Sequence, residues 1–432
     1  MSGVRDRAVA ARQASRGLAA ASPAIRDAAL LALAVALEER AGDLLEANRA
    51  DLEAAGEALP AATRQRLKLD RNRLADMAAG VRAVAALADP LGRVQLRRRL
   101  AEGLELTRLT CPLGVLAVVF EARPDAATQI SSLALKSGNA LLLKGASEAR
   151  HTNRALARLT EAALAGVAGL PPAAVQYLEG RDQVDELLAL DGLVDLVIPR
   201  GSGELVRSIQ ARTKIPVLGH AEGICHVYLD AGADTAMALG IVLDAKTQYP
   251  AACNAAETVL VHREAAPRLL PPLAAALQAA GVSLRGCAAS RELVPGMAAA
   301  APADWDTEYG DLVLAVRIVE DLDAAIAHIH AHGSGHTECI VTEDPAAAER
   351  FLRVVDAAGV YHNASTRFAD GHRYGFGAEV GISTGRIHAR GPVGLEGLLT
   401  VKYLLRGQGD RVADFSGSGA RPWLHEDLAP GP

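Results

Sequence analysis

From Gly103 onward the chain alternates short apolar runs, each ending in glycine or a charge, with helical stretches. "GLELTRLTCPLGVLAVVF" (Gly103–Phe120) alternates and then becomes continuously apolar. That predicts an antiparallel ribbon leading into a strand buried on both faces. "NALLLKG" (Asn139–Gly145), "AVQYLEG" (Ala174–Gly180), "LVDLVIPRG" (Leu193–Gly201) and "ICHVYLD" (Ile224–Asp230) follow, separated by helical spacing. A second series runs through "ETVLVH", "LVLAVRIV", "CIVTED" and "GVYHN". Chains of this pattern fold as parallel sheets covered by helices, with ligands expected at the carboxyl ends of strands. The first ninety residues, rich in Ala, Leu, Arg and Glu, predict helices alone.

With 432 residues the chain is long enough for two or three domains. Aromatics make up only 3%, so the core must be built from Ala, Leu and Val. A net charge of −6 without long single-sign runs argues against a nucleic-acid surface. The densest basic cluster, "LRRRL" (Leu96–Leu100), is short and reads as a solvated strand or turn. Five cysteines, widely spaced and without CxxC, argue against a disulfide framework or zinc ribbon and for a reducing cytoplasm. "AALLALAVAL" (Ala28–Leu37) is too short to span a bilayer and follows no signal-peptide pattern, so no membrane role is expected.

"YPAACNAAETVLVH" (Tyr249–His262) holds the most reactive setting. Pro250 ends the preceding helix, so Cys253 falls in a loop. Ala251, Ala252, Ala255 and Ala256 leave room for a carbonyl, and no acid within three residues raises the thiol pKa. Cys111 and Cys225 lie in apolar strand contexts and read as structural. Lys144 ends a strand where an ammonium meets a phosphate or ribose. Gly201, Ser202 and Gly203 lie between a strand and a helix start, where backbone N–H groups favour an anion. In "HIHAHGSGH", His328 and His332 have helical metal-ligand spacing, but with no third ligand evident we expect no metal. "RYGFGAEVGISTGRIHARGPVGLEGL" (Arg373–Leu398) is dense in glycine and basic residues, the composition of a loop around an anion.

"FEARPDAATQ", "KSGNALLLKG", "PRGSGELV", "DAKTQYPAACNAAET" and "GAEVGISTGRIHARGPVGLEG" together resemble the γ-glutamyl phosphate reductases, also called glutamate-5-semialdehyde dehydrogenases, of the aldehyde dehydrogenase superfamily. The likeness runs from about Arg5 to Gly409. It implies an α/β, aldehyde dehydrogenase-like fold: two parallel-sheet domains plus a small β oligomerisation element. On this reading residues 1–230 bind the nucleotide and carry an oligomerisation ribbon at about 97–111. Residues 231–365 form the catalytic domain with Cys253. Residues 366–409 are a return segment with an oligomerisation strand, and 410–432 are a flexible tail.

The activity so implied is reduction of L-glutamyl 5-phosphate by NADPH to glutamate 5-semialdehyde in proline biosynthesis. Cys253 is the nucleophile, and a thioester is the intermediate. Aldehyde-oxidising relatives carry a glutamate in "ELGG" that activates hydrolytic water. Here "HAEG" stands in its place, with His220 at the glutamate position and Glu222 two residues on. His220 is thereby assigned proton or phosphate-linked steps. NAD-preferring relatives often have a glutamate three residues after the strand-end lysine. Ser147 stands there, which favours the NADPH/NADP+ pair, although Glu148 adjoins it. Glu308 in "TEYGD" resembles the residue that holds the nicotinamide ribose. Arg123, Asn254, Arg386 and His388 are the candidate substrate binders. A homo-oligomer and a functional link to glutamate 5-kinase are also implied. A phosphate-independent aldehyde dehydrogenase, a cysteine hydrolase and a non-enzymatic nucleotide binder remain as alternatives. The hydrolase would need a histidine and an orienting carboxylate at Cys253.

Overall fold

A computed structural model describes residues 3–56, 61–121, 124–180 and 183–429. It divides into two units. One holds the residues up to Leu218 with Phe376–Gly381 and the residues from Val393 on. The other holds Gly219–Gly375 with Ile382–Pro392.

The first unit opens with helices α1 (Val4–Ala20), α2 (Pro23–Glu39), α3 (Ala41–Ala55), α4 (Ala61–Leu67) and α5 (Arg71–Ala86). Local chemistry starts several of them. Ser22, followed by Pro23, accepts from the Ile25 N–H at 3.4 Å, and Asp70 accepts from Arg73 N–H at 2.8 Å. The ribbon β1 (Val94–Ala101) and β2 (Leu104–Pro112) leads into β3 (Val115–Phe120), buried at every position. Then come α6 (Pro124–Lys136), β4 (Ala140–Gly145), α7 (Arg150–Ala165), β5 (Val175–Leu178), α8 (Gln183–Leu188), β6 (Leu196–Arg200) and α9 (Gly203–Arg212). The four strands form a parallel sheet in the order β5-β4-β3-β6. Continuous apolar runs suit strands covered by helices on both faces.

The second unit contains β7 (Cys225–Leu229), α10 (Thr235–Thr247), β8 (Ala256–His262), α11 (Ala266–Ala279), β9 (Ser283–Gly286), α12 (Ala288–Leu293) and β10 (Ala298–Ala299). It continues with β11 (Val313–Val319), α13 (Leu322–His332), β12 (Thr337–Val341), α14 (Pro345–Val354) and β13 (Gly359–His362). All seven strands are parallel, in the order β10-β9-β11-β8-β7-β12-β13. Val227, Val259, Val261, Leu269, Leu273 and Leu314 are among the buried side chains of its core. Asp234, Asp321 and Asp344 cap α10, α13 and α14, each accepting from a backbone N–H at 2.8 Å.

Two boundaries differ from the sequence reading. The units divide at Gly219, not Asp230, because β7 pairs with β8 and β12 and so belongs to the second sheet. The tail is not a free extension. After the return segment, with its short strands β14 (Gly381–Ser383) and β15 (Gly391–Val393), come β16 (Leu399–Arg406) and β17 (Glu426–Asp427). With the ribbon they form an antiparallel sheet in the order β16-β2-β1-β17. Arg98 meets Asp427 at 2.7 Å and Arg99 meets Glu426 at 3.2 Å, so the acids of the tail engage the basic cluster of β1. Among the described residues no single helix is long and apolar enough to cross a membrane.

Candidate active site

Cys253 sits in the turn between α10 and β8, half-buried. Hydrogen bonds from Ala252 N–H to Tyr249 O (3.2 Å) and from Ala255 N–H to Ala252 O (2.8 Å) fix the turn. The Cys253 N–H makes no hydrogen bond among the described residues. The turn is packed hard against the segment preceding β7. A Cβ placed on Gly223 would lie 2.0 Å from Cys253 O and 2.7 Å from Cys253 Cα, so only glycine fits. Gly223 N–H in turn donates to Glu308 Oε2 at 2.8 Å, and the buried Cys225 thiol donates to Cys253 O at 3.4 Å.

Two imidazoles converge on the thiol. One ligand atom each from His220, Cys253 and His336 lie within 4.8 Å of one another, and the two rings meet edge-on with centroids 4.8 Å apart. His220 Nδ1 lies 2.7 Å from Ile382 O. His336 is fully buried. Its Nδ1 lies 2.9 Å from Thr337 Oγ1 and 3.7 Å from Cys225 Sγ, while its Nε2 has no hydrogen-bond partner among the described residues. The topology explains the convergence. His220, Cys253 and His336 precede β7, β8 and β12, three neighbouring parallel strands, so all three emerge at the same, amino-terminal edge. The expected position at the carboxyl ends does not hold for this group.

Charge around the site is managed by burial. Burial, reinforced by Glu338 and then Cys253, pushes the Cys225 thiol well above its ordinary value, which leaves it protonated. Arg367 is buried, donates to Gln248 Oε1 at 2.9 Å, and interacts electrostatically with Cys253. Burial, with Arg373 beside it, lowers its own pKa. Behind the turn, Lys246 and Glu257 form a fully buried ion pair at 2.6 Å, and burial raises the Glu257 carboxyl to about 7.

The sequence-assigned residues fall into separate groups. His220, not Glu222, joins the Cys253 cluster, and Glu308 bonds the Gly223 backbone beside it. Asn254 is buried and donates to Ala369 O at 2.8 Å, while its Oδ1 has no hydrogen-bond partner among the described residues. Arg386 and His388 are exposed and are not part of the cluster. Arg386 pairs with Asp356, which also takes Arg390 at 2.6 Å, because that carboxylate lies within reach of both guanidiniums. Arg123 lies outside the described residues. In the first unit, Lys144 ends β4, buried, with Nζ donating to Gly145 O at 2.6 Å. Ser147 is exposed, its hydroxyl 3.4 Å from Glu148 Oε2. Ser202 caps α9, and its N–H donates to Glu121 Oε2 at 2.7 Å, so a carboxylate already occupies the anion position that Gly201 and Ser202 form.

His336 and Arg367 were not singled out from the sequence. His336 stood in a histidine-rich stretch whose helical spacing drew attention to His328 and His332 instead. Those two engage Arg317 and Asp306 at 2.9 and 2.8 Å. The hydrolase alternative asks for an orienting carboxylate, and the hydrogen bonds described for the two imidazoles go to Ile382 O, Thr337 Oγ1 and Cys225 Sγ.

Residues 3–285 match the model of the aldehyde dehydrogenase family. The chain is 57% identical to a γ-glutamyl phosphate reductase of Cyanothece over 418 residues, 96% of either chain. It is also 57% identical to one from Synechococcus elongatus over 421 residues, 97% of either chain. A crystal structure of γ-glutamyl phosphate reductase from Thermotoga maritima superposes with a TM-score of 0.93 at 39% identity, covering 95% of this chain and all of that one. The chain belongs to the aldehyde dehydrogenase family and, within it, to the γ-glutamyl phosphate reductases, oxidoreductases of proline biosynthesis.

Proposed function

We propose that the chain reduces L-glutamyl 5-phosphate with NADPH to L-glutamate 5-semialdehyde, phosphate and NADP+, through a thioester on Cys253. The observation that carries this reading is the convergence of two imidazoles on a half-buried thiol in a turn lined with alanines. Cys253 loses its proton to one of the imidazoles and attacks the acyl carbonyl. Its own N–H donates to the oxyanion. Phosphate departs with the proton that the imidazole carried. Bound nicotinamide supplies the hydride that reduces the thioester. An imidazole that has taken up a proton from solvent then completes the thiohemiacetal, whose collapse releases the aldehyde and restores the thiol. With His220 at the place of a hydrolytic glutamate, the thioester is kept for reduction.

The first unit fits a nucleotide. β4 and β6 flank β3 on opposite sides, which opens a crevice after β3 and β6 of the kind at which open α/β sheets take nucleotides. Lys144 and Ser147 would meet phosphate or ribose. Gly201 and Ser202 would hold an anion at the start of α9, where a cofactor phosphate would displace the Glu121 carboxylate. We assign Glu308 to the nicotinamide ribose and Asn254 Oδ1 to the substrate ammonium. β16 ends its sheet as an edge strand, with Tyr403 and Leu405 each 59% exposed, which supports pairing with another copy. Five free thiols fit the cytoplasm. Supply of a labile acyl phosphate is consistent with a functional link to glutamate 5-kinase.

The test is the reverse reaction. Glutamate 5-semialdehyde and NADP+ are supplied with and without inorganic phosphate, to wild type and Cys253→Ala. Phosphate-dependent NADPH formation that vanishes in the variant is the expected result. Phosphate-independent formation would overturn the acyl-phosphate mechanism.

A further inference from the structure

We propose that His220, Cys253 and His336 form a binding site for a thiophilic divalent cation such as Zn2+, which caps the nucleophile when it binds. Three observations carry this. First, among the described residues these are the one group of three histidine, cysteine or carboxylate side chains whose ligand atoms lie within 4.8 Å of one another. Second, one nitrogen of each ring has a polar neighbour that fixes the ring. His220 Nδ1 lies 2.7 Å from a backbone carbonyl and His336 Nδ1 lies 2.9 Å from a hydroxyl, the arrangement by which metal-ligating imidazoles are oriented. Third, His336 is fully buried and its Nε2 has no hydrogen-bond partner among the described residues. A buried orphan nitrogen costs free energy, and a metal–nitrogen bond removes that cost.

The donor set suits the metal. One thiolate and two neutral imidazoles suit zinc, with a fourth position left for water. Zn–N and Zn–S bonds of about 2.0 and 2.3 Å need ligand atoms about 3.3–3.7 Å apart. The group, within 4.8 Å, therefore contracts by about 1.5 Å at most, within the reach of a rotamer change at the half-buried Cys253. Binding forms one Zn–S and two Zn–N bonds and releases the thiol proton to solvent. Metal binding stands on the geometry alone, whereas the loss of activity it would cause rests on the proposed role of Cys253.

The test uses the full chain and Co2+ as the probe, followed by its thiolate-to-cobalt charge-transfer absorption and displaced by Zn2+. One equivalent of Co2+ should give the band, and saturating Zn2+ should abolish alkylation of Cys253 by iodoacetamide. Cys253→Ser should lose the band. His336→Gln should weaken binding by at least the roughly 10–100-fold that loss of an outer-shell partner alone costs. His220→Gln, at a half-buried position, should do the same and serves as the test if His336→Gln fails to fold. Absence of the band in wild type, its persistence in Cys253→Ser, or unchanged affinity in the histidine variants would each overturn the site. A metal-bound thiol with undiminished turnover would leave the site standing and sink the catalytic reading of Cys253.

Discussion

Gly223→Ala tests how tightly the turn that carries Cys253 is held. The new Cβ would lie 2.0 Å from Cys253 O and 2.7 Å from both its C and Cα, all of them backbone atoms that no rotamer can clear. Reaching the ordinary 3.4 Å contact requires the two segments to part by about 1.4 Å. That movement shifts Cys253 relative to His220 and His336 and pulls Gly223 N–H from Glu308 Oε2. A misplacement of about 1 Å at a reacting centre costs about a hundredfold, or about 2.7 kcal/mol of activation free energy. Overpacking should also cost about 1–3 kcal/mol of stability. The assay is kcat/KM for the phosphate-dependent reverse reaction, with the iodoacetamide rate of Cys253 measured alongside, at a temperature where the variant remains folded. A folded variant with activity within about threefold of wild type, under 1 kcal/mol, would refute the argument that this contact positions the nucleophile.

Two further predictions concern buried charge. Burial, with His226 and Arg317 close by, depresses the His328 pKa to about 2. The unfolded chain therefore binds the extra proton first, so this stability is present above about pH 6.5 and is lost as pH falls, by up to about 1.4 kcal/mol per pH unit. Urea unfolding of His328→Gln across pH 5–7 should show a flatter acid limb, and an unchanged slope would exclude His328 as its source. Lys246→Met strands Glu257 in a fully buried site and should cost about 3–5 kcal/mol, most of it recovered in Lys246→Met/Glu257→Leu. Equal stabilities of the single and double variants would show that the pair does not act as a unit.

The strand–helix alternation was legible because apolar runs bounded by glycine report local structure directly. The runs from Asn139, Ala174, Leu193 and Ile224 became β4, β5, β6 and β7. β9 and β10 went unread. β9 is four residues long and exposed at every other position, and β10 is two exposed alanines held by pairing to β9. The tail read as flexible because its partners, Arg98 and Arg99, are more than 300 residues away in sequence. The turn that carries Cys253 was legible from Pro250 before it. His336 was not, because nothing near it in sequence distinguishes it from His328 or His332.

The sequence by itself determined the longer strands and the helices between them, and it placed Cys253 in a turn. These are properties of neighbouring residues. Only the tertiary structure decided what surrounds that thiol. The order β8-β7-β12 brings three separate pre-strand segments to one sheet edge, so His220 and His336 meet Cys253. Strand order is set by long-range pairing and the packing of helices over the sheet, which no local pattern encodes.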